Sequence, residues 1–261
     1  MRARKRFGQH FLHDPAVIER IVSAIAPRSG EALVEIGPGH GALTNRLLAA
    51  GASLDVIEID RELAAALRAR QAGLPHFTVH EADALGFDFA ALARTRGQRL
   101  RVIGNLPYNI STPLLFRLLE AGAALLDMHF MLQKEVVERI VAAPGSRQYG
   151  RLGVMLAPRV RATQLLEAGP GAFRPPPRVW SAVVRLEIRP DPPAWATLPQ
   201  YAAVVGAAFG QRRKTLRNAL SGLLSAARIS AAGIDPGARA ETLAAADFGR
   251  LALAVAGAAP L

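Results

Sequence analysis

The stretch Ala32-Leu-Val-Glu-Ile-Gly-Pro-Gly-His-Gly41 decides the fold of this 261-residue chain. Its apolar first half predicts a buried β-strand, and the glycines that follow predict a tight turn into a helix over Gly41 to Ala50. Gly37, Gly39 and Ala42 fit the pattern G-x-G-x-x-G/A, in which glycines let the backbone approach a nucleotide closely. A glycine turn that only tightens the joint between strand and helix is the alternative.

Strand and helix patterns alternate from about residue 31 to residue 144. Further short apolar runs predict strands over Ser53 to Ile59, Phe77 to His80, Leu100 to Gly104 and Met128 to Leu132. Helical periodicity covers Arg61 to Arg70, Ser111 to Glu120 and Lys134 to Val141. This alternation predicts an α/β fold with a mostly parallel, Rossmann-like sheet. Val179 to Ile188 alternates between apolar and polar residues, which predicts a later, antiparallel strand.

A proline-rich segment marks the predicted domain boundary. Pro190-Asp-Pro-Pro193 interrupts regular structure, because proline fixes φ and removes a hydrogen-bond donor. From Tyr201 onward the chain is rich in Ala and Leu and shows no strand pattern. We therefore predict a catalytic domain over residues 1–189 and a small all-α domain over residues 190–261.

The positive charge of the chain is concentrated in three segments. The formal net charge is +11, and residues 1–30, 145–190 and 201–220 carry +4, +6 and +4, so that the rest of the chain nets −3. Clustered positive charge is expected of a nucleic-acid-binding protein, because neutralising phosphates releases condensed counterions. A general preference for Arg, in a chain with only three Lys, is the alternative source.

Composition also excludes several classes of protein. The chain has no cysteine, which excludes disulfides and thiolate metal sites, and its six histidines lack the spacing of metal ligands, so we predict no metal. No run approaches the roughly 18 uncharged apolar residues that a membrane span needs. The basic N-terminus is followed by Phe7 to Pro15, which polar residues interrupt, so no signal core is present and we expect a cytoplasmic protein.

Two carboxylates follow the next strands after the glycine loop. Glu58 ends the second predicted strand, about 20 residues after the loop, where a carboxylate can accept both hydroxyls of a ribose. A solvated charge at a strand end is the alternative, but Glu58 stands in the apolar run Val56 to Ile59. Asp83 follows the third strand and is placed to accept from an adenine amino group, or else to cap a helix.

The tetrapeptide Asn105-Leu-Pro-Tyr108 follows the fourth predicted strand, at the sheet edge where open α/β folds bind ligands. An exocyclic aromatic amine is a poor nucleophile, because its lone pair is delocalised into the ring. The Asn105 side-chain oxygen and the Leu106 carbonyl can accept from its N–H groups and free that lone pair. Pro107 stiffens the loop, and Tyr108 offers a face on which an extruded base can stack. A proline turn with a buried Asn is the alternative.

With these residues in place, the chain closely resembles the ribosomal RNA adenine N6,N6-dimethyltransferase family from Arg4 to about Leu220. The motifs that carry the resemblance include the glycine loop and the tetrapeptide, together with Lys5 to Leu12, Gln148 to Arg151, Phe173-Arg-Pro-Pro-Pro-Arg-Val-Trp-Ser181 and Phe209 to Asn218. The resemblance implies a class I methyltransferase fold, the cofactor S-adenosyl-L-methionine, and dimethylation of two adjacent adenosines near the 3′ end of small-subunit (16S) rRNA. It also implies a monomer that acts on a pre-assembled subunit during its maturation.

The resemblance further implies roles for individual residues. Cofactor contacts fall on His10, Leu12, Gly37, Glu58, Ile59, Asp83 and Asn105. The catalytic set is Asn105, Leu106, Pro107, Tyr108 and Phe173. Phe173 is expected to sandwich the target adenine opposite Tyr108, whereas the residue pattern by itself favours a packing anchor. His10 stands where many relatives have Asn, and either side chain can donate a hydrogen bond.

Three alternatives stay open. The related branch that methylates large-subunit rRNA and confers antibiotic resistance shares the core motifs, but Tyr149 to Arg151 and Phe209 to Asn218 favour the small-subunit branch. A non-catalytic RNA-binding assembly factor is the second alternative, and the intact tetrapeptide and Glu58 argue against it. A nicotinamide oxidoreductase is the third, and it would need a catalytic group for hydride transfer in a second substrate domain.

Overall fold

A computed structural model of the chain describes residues 10–211 and 213–257. They form two compact units. The first holds the described residues up to Val137 together with Thr163–Ile188, and the second holds Glu138–Ala162 together with the described residues from Arg189 onward. The predicted boundary after residue 189 stays a prediction. Lys5 to Gln9 of the N-terminal motif and Arg212 of the basic motif lie outside the described residues.

Strands and helices alternate along most of the chain. The strands are β1 Phe11–Leu12, β2 Ala32–Ile36, β3 Ser53–Glu58, β4 Phe77–Glu81, β5 Leu100–Asn105, β6 Leu125–Gln133, β7 Val160–Ala168, β8 Phe173–Arg174 and β9 Ser181–Ile188. The helices are α1 Pro15–Ile25, α2 Thr44–Ala49, α3 Arg61–Arg70, α4 Phe89–Arg96, α5 Ser111–Ala121, α6 Lys134–Val141, α7 Arg151–Leu156, α8 Pro199–Gly210, α9 Leu216–Ala219, α10 Ala226–Ala231 and α11 Ala245–Ala256.

The main sheet has seven strands in the order β4-β3-β2-β5-β6-β9-β7. Strands β4, β3, β2, β5 and β6 run parallel, and β9 pairs with β6 in the antiparallel direction. The predicted parallel α/β sheet and the predicted antiparallel strand are therefore confirmed. A second, two-stranded sheet pairs β1 with β8.

The apolar runs form the central strands because both faces of a parallel sheet are covered by helices. Every residue of β2 is buried, including Glu35. The strand order reverses at β2, because β3 lies on one side of β2 and β5 lies on the other. Ligands bind at the carboxyl ends of strands where the order reverses in this way. The functional site is therefore expected beyond Ile36 and Asn105.

Gly104 lets β5 approach β2 closely at this point. A Cβ built on Gly104 would lie 2.8 Å from the Ile36 carbonyl oxygen and 2.9 Å from Leu106 Cδ2. A Cβ atom does not approach a backbone oxygen so closely, so any larger residue would push the two strands apart. Glycine inside a strand often marks such a close backbone approach.

The second unit has its own apolar core. The hydroxyls of two buried tyrosines bind backbone carbonyls within it, Tyr201 to Val154 and Tyr149 to Leu243, each at 2.7 Å. Trp195 packs so closely on α11 that a Cβ on Gly249 would lie 2.5 Å from its ring. From Arg189 onward the described residues carry helices and one isolated bridge, Thr215 to Arg239. The expected small all-α part of the chain is thus confirmed.

No helix among the described residues is long and apolar enough to cross a membrane. Within the same residues, no group of three or more His, Asp or Glu side chains is arranged to hold a metal ion.

Candidate active site

A cavity opens at the carboxyl edge of the main sheet, wholly within the first unit. Residues from five segments of the chain line it, within the ranges 10–12, 35–43, 57–59, 82–85 and 105–110. Each segment follows or includes a strand end of β1, β2, β3, β4 or β5. The sheet therefore brings together residues that are up to a hundred positions apart in the sequence.

The glycine loop forms one wall of the cavity. The Gly37 N–H donates to the Ile57 carbonyl at 2.9 Å, which holds the loop against the end of β3. Gly39 has φ +55, and a Cβ there would lie 2.9 Å from Phe11 Cδ1. The Phe11 ring also packs on His40, with ring centres 4.3 Å apart. Glycine at position 39 is thus required both by its backbone conformation and by the close approach of β1.

Glu58 lies at the floor of the cavity, with only 3% of its surface exposed. Its Oε2 accepts from the Gly39 N–H at 3.2 Å, and its Oε1 accepts from the Asp60 N–H at 2.9 Å. Burial raises the pKa of the Glu58 carboxyl above its ordinary value, although these two N–H groups oppose the shift. Each carboxylate oxygen can accept a further hydrogen bond. A vicinal diol, which offers two O–H donors, would satisfy both.

Glu35 is a second buried carboxyl in the cavity wall, and sequence reasoning missed it. It is 2% exposed, and its Oε2 accepts from the Thr44 hydroxyl at 2.5 Å. Burial raises the pKa of Glu35 to about 7. The hydrogen bond from Thr44 lowers this pKa, and the charge of Glu58 makes a smaller contribution that raises it. An acidic residue inside the apolar run of β2 was the available signal, and the same argument had singled out Glu58.

Ile59 and Asp83 lie at the rim of the same cavity. Ile59 is 50% exposed, although the five residues before it, Leu54 to Glu58, are buried. Asp83 is exposed, and its Oδ1 accepts from the Leu85 N–H at 2.9 Å within a turn. An exposed apolar side chain next to an exposed carboxylate suits a flat heterocycle that carries an amino group.

Asn105 is held in one orientation at the end of β5. Its Nδ2 donates to the His10 carbonyl at 2.9 Å. Because a carbonyl can only accept, the amide nitrogen must face His10, and the Asn105 Oδ1 is left for another donor. The next residue is fixed as well, since the Leu106 N–H donates to the Met131 carbonyl at 3.2 Å. Among the described residues, none donates to the Leu106 carbonyl oxygen.

Tyr108 is fixed at both ends of its side chain. Its hydroxyl lies 3.1 Å from the Ser181 Oγ. Its ring stacks on the imidazole of His10, with centres 5.7 Å apart and planes inclined by 29°. His10 Nδ1 in turn lies 2.7 Å from the Pro175 carbonyl oxygen. The structure therefore brings the proline-rich segment before β9 to the edge of the cavity.

Phe173 lies elsewhere. It is 2% exposed, pairs through β8 with Leu12, and belongs to the apolar core of the first unit. It is not among the described residues that line the cavity. In this conformation Phe173 packs as an anchor and has no open face for a base. Its stacking role stays a prediction, while the other site residues that the sequence predicted all line the cavity.

The cavity combines two kinds of chemistry. Glu58, Ile59 and Asp83 offer partners for the ribose and base of a nucleoside, and the glycine loop offers open backbone beside them. Asn105 and Leu106 offer two oxygen acceptors in the same cavity, next to Tyr108 in the chain. Such acceptors can hold and activate an amine. The arrangement suits group transfer from a nucleoside-containing cofactor to an amine on an aromatic ring.

Comparison with known proteins shows what the chain resembles. The family described as Ribosomal RNA adenine dimethylase matches residues 1–256. Proteins named Ribosomal RNA small subunit methyltransferase A are similar in sequence. The one from Methylococcus capsulatus is 57% identical over 94% of this chain and 95% of its own length, and the one from Pseudomonas aeruginosa is 56% identical over 96% and 94%.

Solved structures share the fold. A 23S rRNA methyltransferase, ErmE, has a TM-score of 0.72 at 25% identity and covers 94% of this chain and 99% of its own. A dimethyladenosine transferase from Plasmodium falciparum has a TM-score of 0.76 at 24% identity and covers 93% and 96%.

Proposed function

Because this chain belongs to the ribosomal RNA adenine dimethylase family, we propose that it transfers methyl groups from S-adenosyl-L-methionine to the N6 amines of two adjacent adenosines near the 3′ end of small-subunit (16S) rRNA. The class I methyltransferase fold expected of such an enzyme is present. The observation that carries the proposal is the cavity that Glu58 and Asn105 share. Buried Glu58 ends β3 and oriented Asn105 ends β5, on the two sides of β2 in one sheet.

The choice of substrate rests on sequence similarity. Relatives named for the small subunit are 56% and 57% identical over nearly the whole chain, whereas the 23S rRNA methyltransferase shares the fold at 25% identity. The exposed arginines of the basic segments, such as Arg178 and Arg217, supply positive charge for RNA phosphates. We propose that the chain acts as a monomer on a pre-assembled subunit during its maturation.

The residues of the cavity fit the cofactor. When bound, S-adenosyl-L-methionine supplies an electrophilic methyl group on a sulfonium. The free lone pairs of Glu58 match the two ribose hydroxyls, and Asp83 can accept from the adenine amino group beside Ile59. Gly37 and Gly39 keep the backbone open for the rest of the molecule, and His10 and Leu12 close the cavity from β1.

Asn105 and Leu106 activate the target amine. Their oxygens accept from the two N6 hydrogens, which draws the nitrogen toward tetrahedral geometry and frees its lone pair. Because the Asn105 amide is already oriented by the His10 carbonyl, this alignment costs little reorganisation. The ring of Tyr108 offers a face on which the target base can stack. The remaining requirement is in-line approach at about 3 to 3.5 Å, which is a matter of positioning.

The experiment is methyl transfer to isolated ribosomal subunits. Small and large subunits that lack the modification are incubated with the protein and S-adenosyl-L-methionine, and primer extension locates the products. We expect stops at two adjacent adenosines in small-subunit rRNA only. Products confined to large-subunit rRNA would support the antibiotic-resistance branch. If calorimetry detects no binding of S-adenosyl-L-methionine, the non-catalytic assembly factor is favoured instead.

A further inference from the structure

Trp180 is the most exposed large apolar residue among those that the structure describes. It is 54% exposed, and its neighbour Val179 is 43% exposed. The backbone of Trp180 is nevertheless held in place, and its ring lies close to Gly169. Its Cη2, Cζ2 and Cζ3 atoms lie 3.6 to 3.8 Å from the position of a Cβ on Gly169, and its carbonyl accepts from the Lys134 N–H at 2.9 Å. A large aromatic surface is thus presented to solvent in a defined position.

Trp180 borders the candidate active site. The next residue, Ser181, lies 3.1 Å from the Tyr108 hydroxyl through its Oγ, and Cα atoms of adjacent residues are about 3.8 Å apart. The segment that leads to Trp180 also contacts the cavity at a second point, because the Pro175 carbonyl oxygen lies 2.7 Å from His10 Nδ1. The backbone that carries Trp180 is therefore anchored beside Tyr108.

The surroundings of Trp180 are positively charged. Arg174 and Arg178 are exposed, and neither forms an ion pair or side-chain hydrogen bond with any residue in 10–211 or 213–257. Glu167, at the end of β7, is already paired with Lys134 at 2.8 Å. The segment that leads to the indole therefore carries two guanidinium groups without a side-chain partner among the described residues, and their charge complements phosphate.

We propose that Trp180 is an RNA-stacking residue, which binds an unpaired base next to the target adenosine while Arg174 and Arg178 contact the adjoining phosphates. Sequence-tolerant binding of single-stranded RNA combines aromatic side chains with a basic surface in this way. Trp180 and its neighbour Val179 expose apolar surface together, and an exposed aromatic face offers a surface on which an unpaired base can stack. The inference rests on the proposed function in one respect, since it takes the substrate to be RNA.

Intrinsic fluorescence tests the contact directly. The chain has two tryptophans, and the other, Trp195, is 8% exposed in the core of the second unit. Titration with a protein-free fragment of small-subunit rRNA is expected to quench the wild-type emission, and Trp180→Phe is expected to abolish the quenching. Leu74→Ala is the matched control, because Leu74 is also an exposed apolar residue, at 45%. If filter binding shows that the fragment binds the wild type while the emission stays unquenched, the proposal is overturned.

Methyl-transfer kinetics test its consequence. Trp180→Ala is expected to raise KM for the small subunit about 5-fold or more and to leave kcat within about 2-fold, because stacking positions the substrate without touching the reacting atoms. Trp180→Tyr should restore most of the affinity, which a purely structural role would not require. Arg178→Ala should reduce the slope of log affinity against log salt by about 0.7, whereas Arg94→Ala, on an exposed position of α4 outside the three basic segments, should not.

The two proposals fail in different ways. A wild-type protein that is quenched by RNA but transfers no methyl group would refute the proposed function and leave the stacking role intact. A wild-type protein that methylates the subunit, with Trp180→Ala showing an unchanged KM, would refute the stacking role alone.

Discussion

Replacing Glu35 by Gln is expected to remove a pH dependence of stability that this carboxyl imposes on the first unit. Glu35 is 2% exposed and accepts one short hydrogen bond, from Thr44. Burial raises the pKa of its carboxyl from an ordinary 4.5 to about 7. A raised carboxyl pKa means that the folded chain keeps a proton that the unfolded chain has released.

The magnitude follows from the two pKa values. Below pH 4.5 both states hold the proton, and the full contribution to stability is present. Between pH 4.5 and about 7 only the folded state holds it, so the free energy of unfolding falls as pH rises. Above about 7 the loss is complete, at about 3 kcal/mol, of which about 2.5 kcal/mol falls between about pH 5 and about pH 8.

Urea unfolding of the cofactor-free protein measures this loss. The free energy of unfolding is determined at several pH values from 5 to 8 for the wild type and for Glu35→Gln, and the difference between them is plotted. Gln keeps an oxygen that accepts from Thr44 but does not titrate, so the wild type should lose about 2.5 kcal/mol relative to the variant across this range. Titrating groups that do not interact with Glu35 contribute to both proteins and cancel, and the charge of Glu58 is the smallest of the three causes of the Glu35 shift.

Glu19→Gln serves as the control, because Glu19 lies on an exposed position of α1. Its difference from the wild type should stay constant with pH. If the difference in free energy of unfolding between Glu35→Gln and the wild type also stays constant with pH, the Glu35 carboxyl is charged in the folded protein. The reasoning from burial is then refuted.

Three further predictions concern the site and its frame. Asn105→Ala should lower kcat for methyl transfer by about 100-fold or more and leave RNA affinity in filter binding nearly unchanged, because it removes an acceptor that acts on the amine; near-normal turnover would contradict the assigned role. Glu58→Gln should weaken S-adenosyl-L-methionine binding in calorimetry by about 10-fold or more, since it removes a charged acceptor of hydrogen bonds; an unchanged affinity would place the ribose elsewhere. Gly104→Ala should destabilise the protein in thermal unfolding by about 1 to 3 kcal/mol through the contact with Ile36, whereas Gly171→Ala should not, because a Cβ at Gly171 would meet no atom within 4 Å.

Much of the sheet could be predicted because its strands are buried on both faces and read as apolar runs. The predicted bounds of β2 and α3 match the structure, and β3 ends at Glu58, one residue before its predicted end. The glycine loop begins the helix later than expected, at Thr44, because Gly41 to Leu43 form a turn. Because parallel strands end at the same edge of a sheet, the sequence pattern alone predicts that one edge holds Gly37, Glu58, Asp83 and Asn105.

Contacts that depend on distant pairing could not be predicted from the residues. The two-residue strands β1 and β8 have no readable period, yet their pairing brings His10 and Pro175 together and buries Phe173. Short helices such as α4 and α7 were missed for the same reason, since one or two turns show little periodicity. The raised pKa of Glu35 depends on what covers the strand, which only the folded chain determines.

Mass spectrometry of small-subunit rRNA from cells that lack the protein tests the central claim most directly. We predict that the two adjacent N6,N6-dimethyladenosines near the 3′ end are replaced by unmodified adenosines. They should return when the wild-type chain is expressed, but not when Asn105→Ala is expressed at the same level. Fully dimethylated adenosines in the cells that lack the protein would contradict the account.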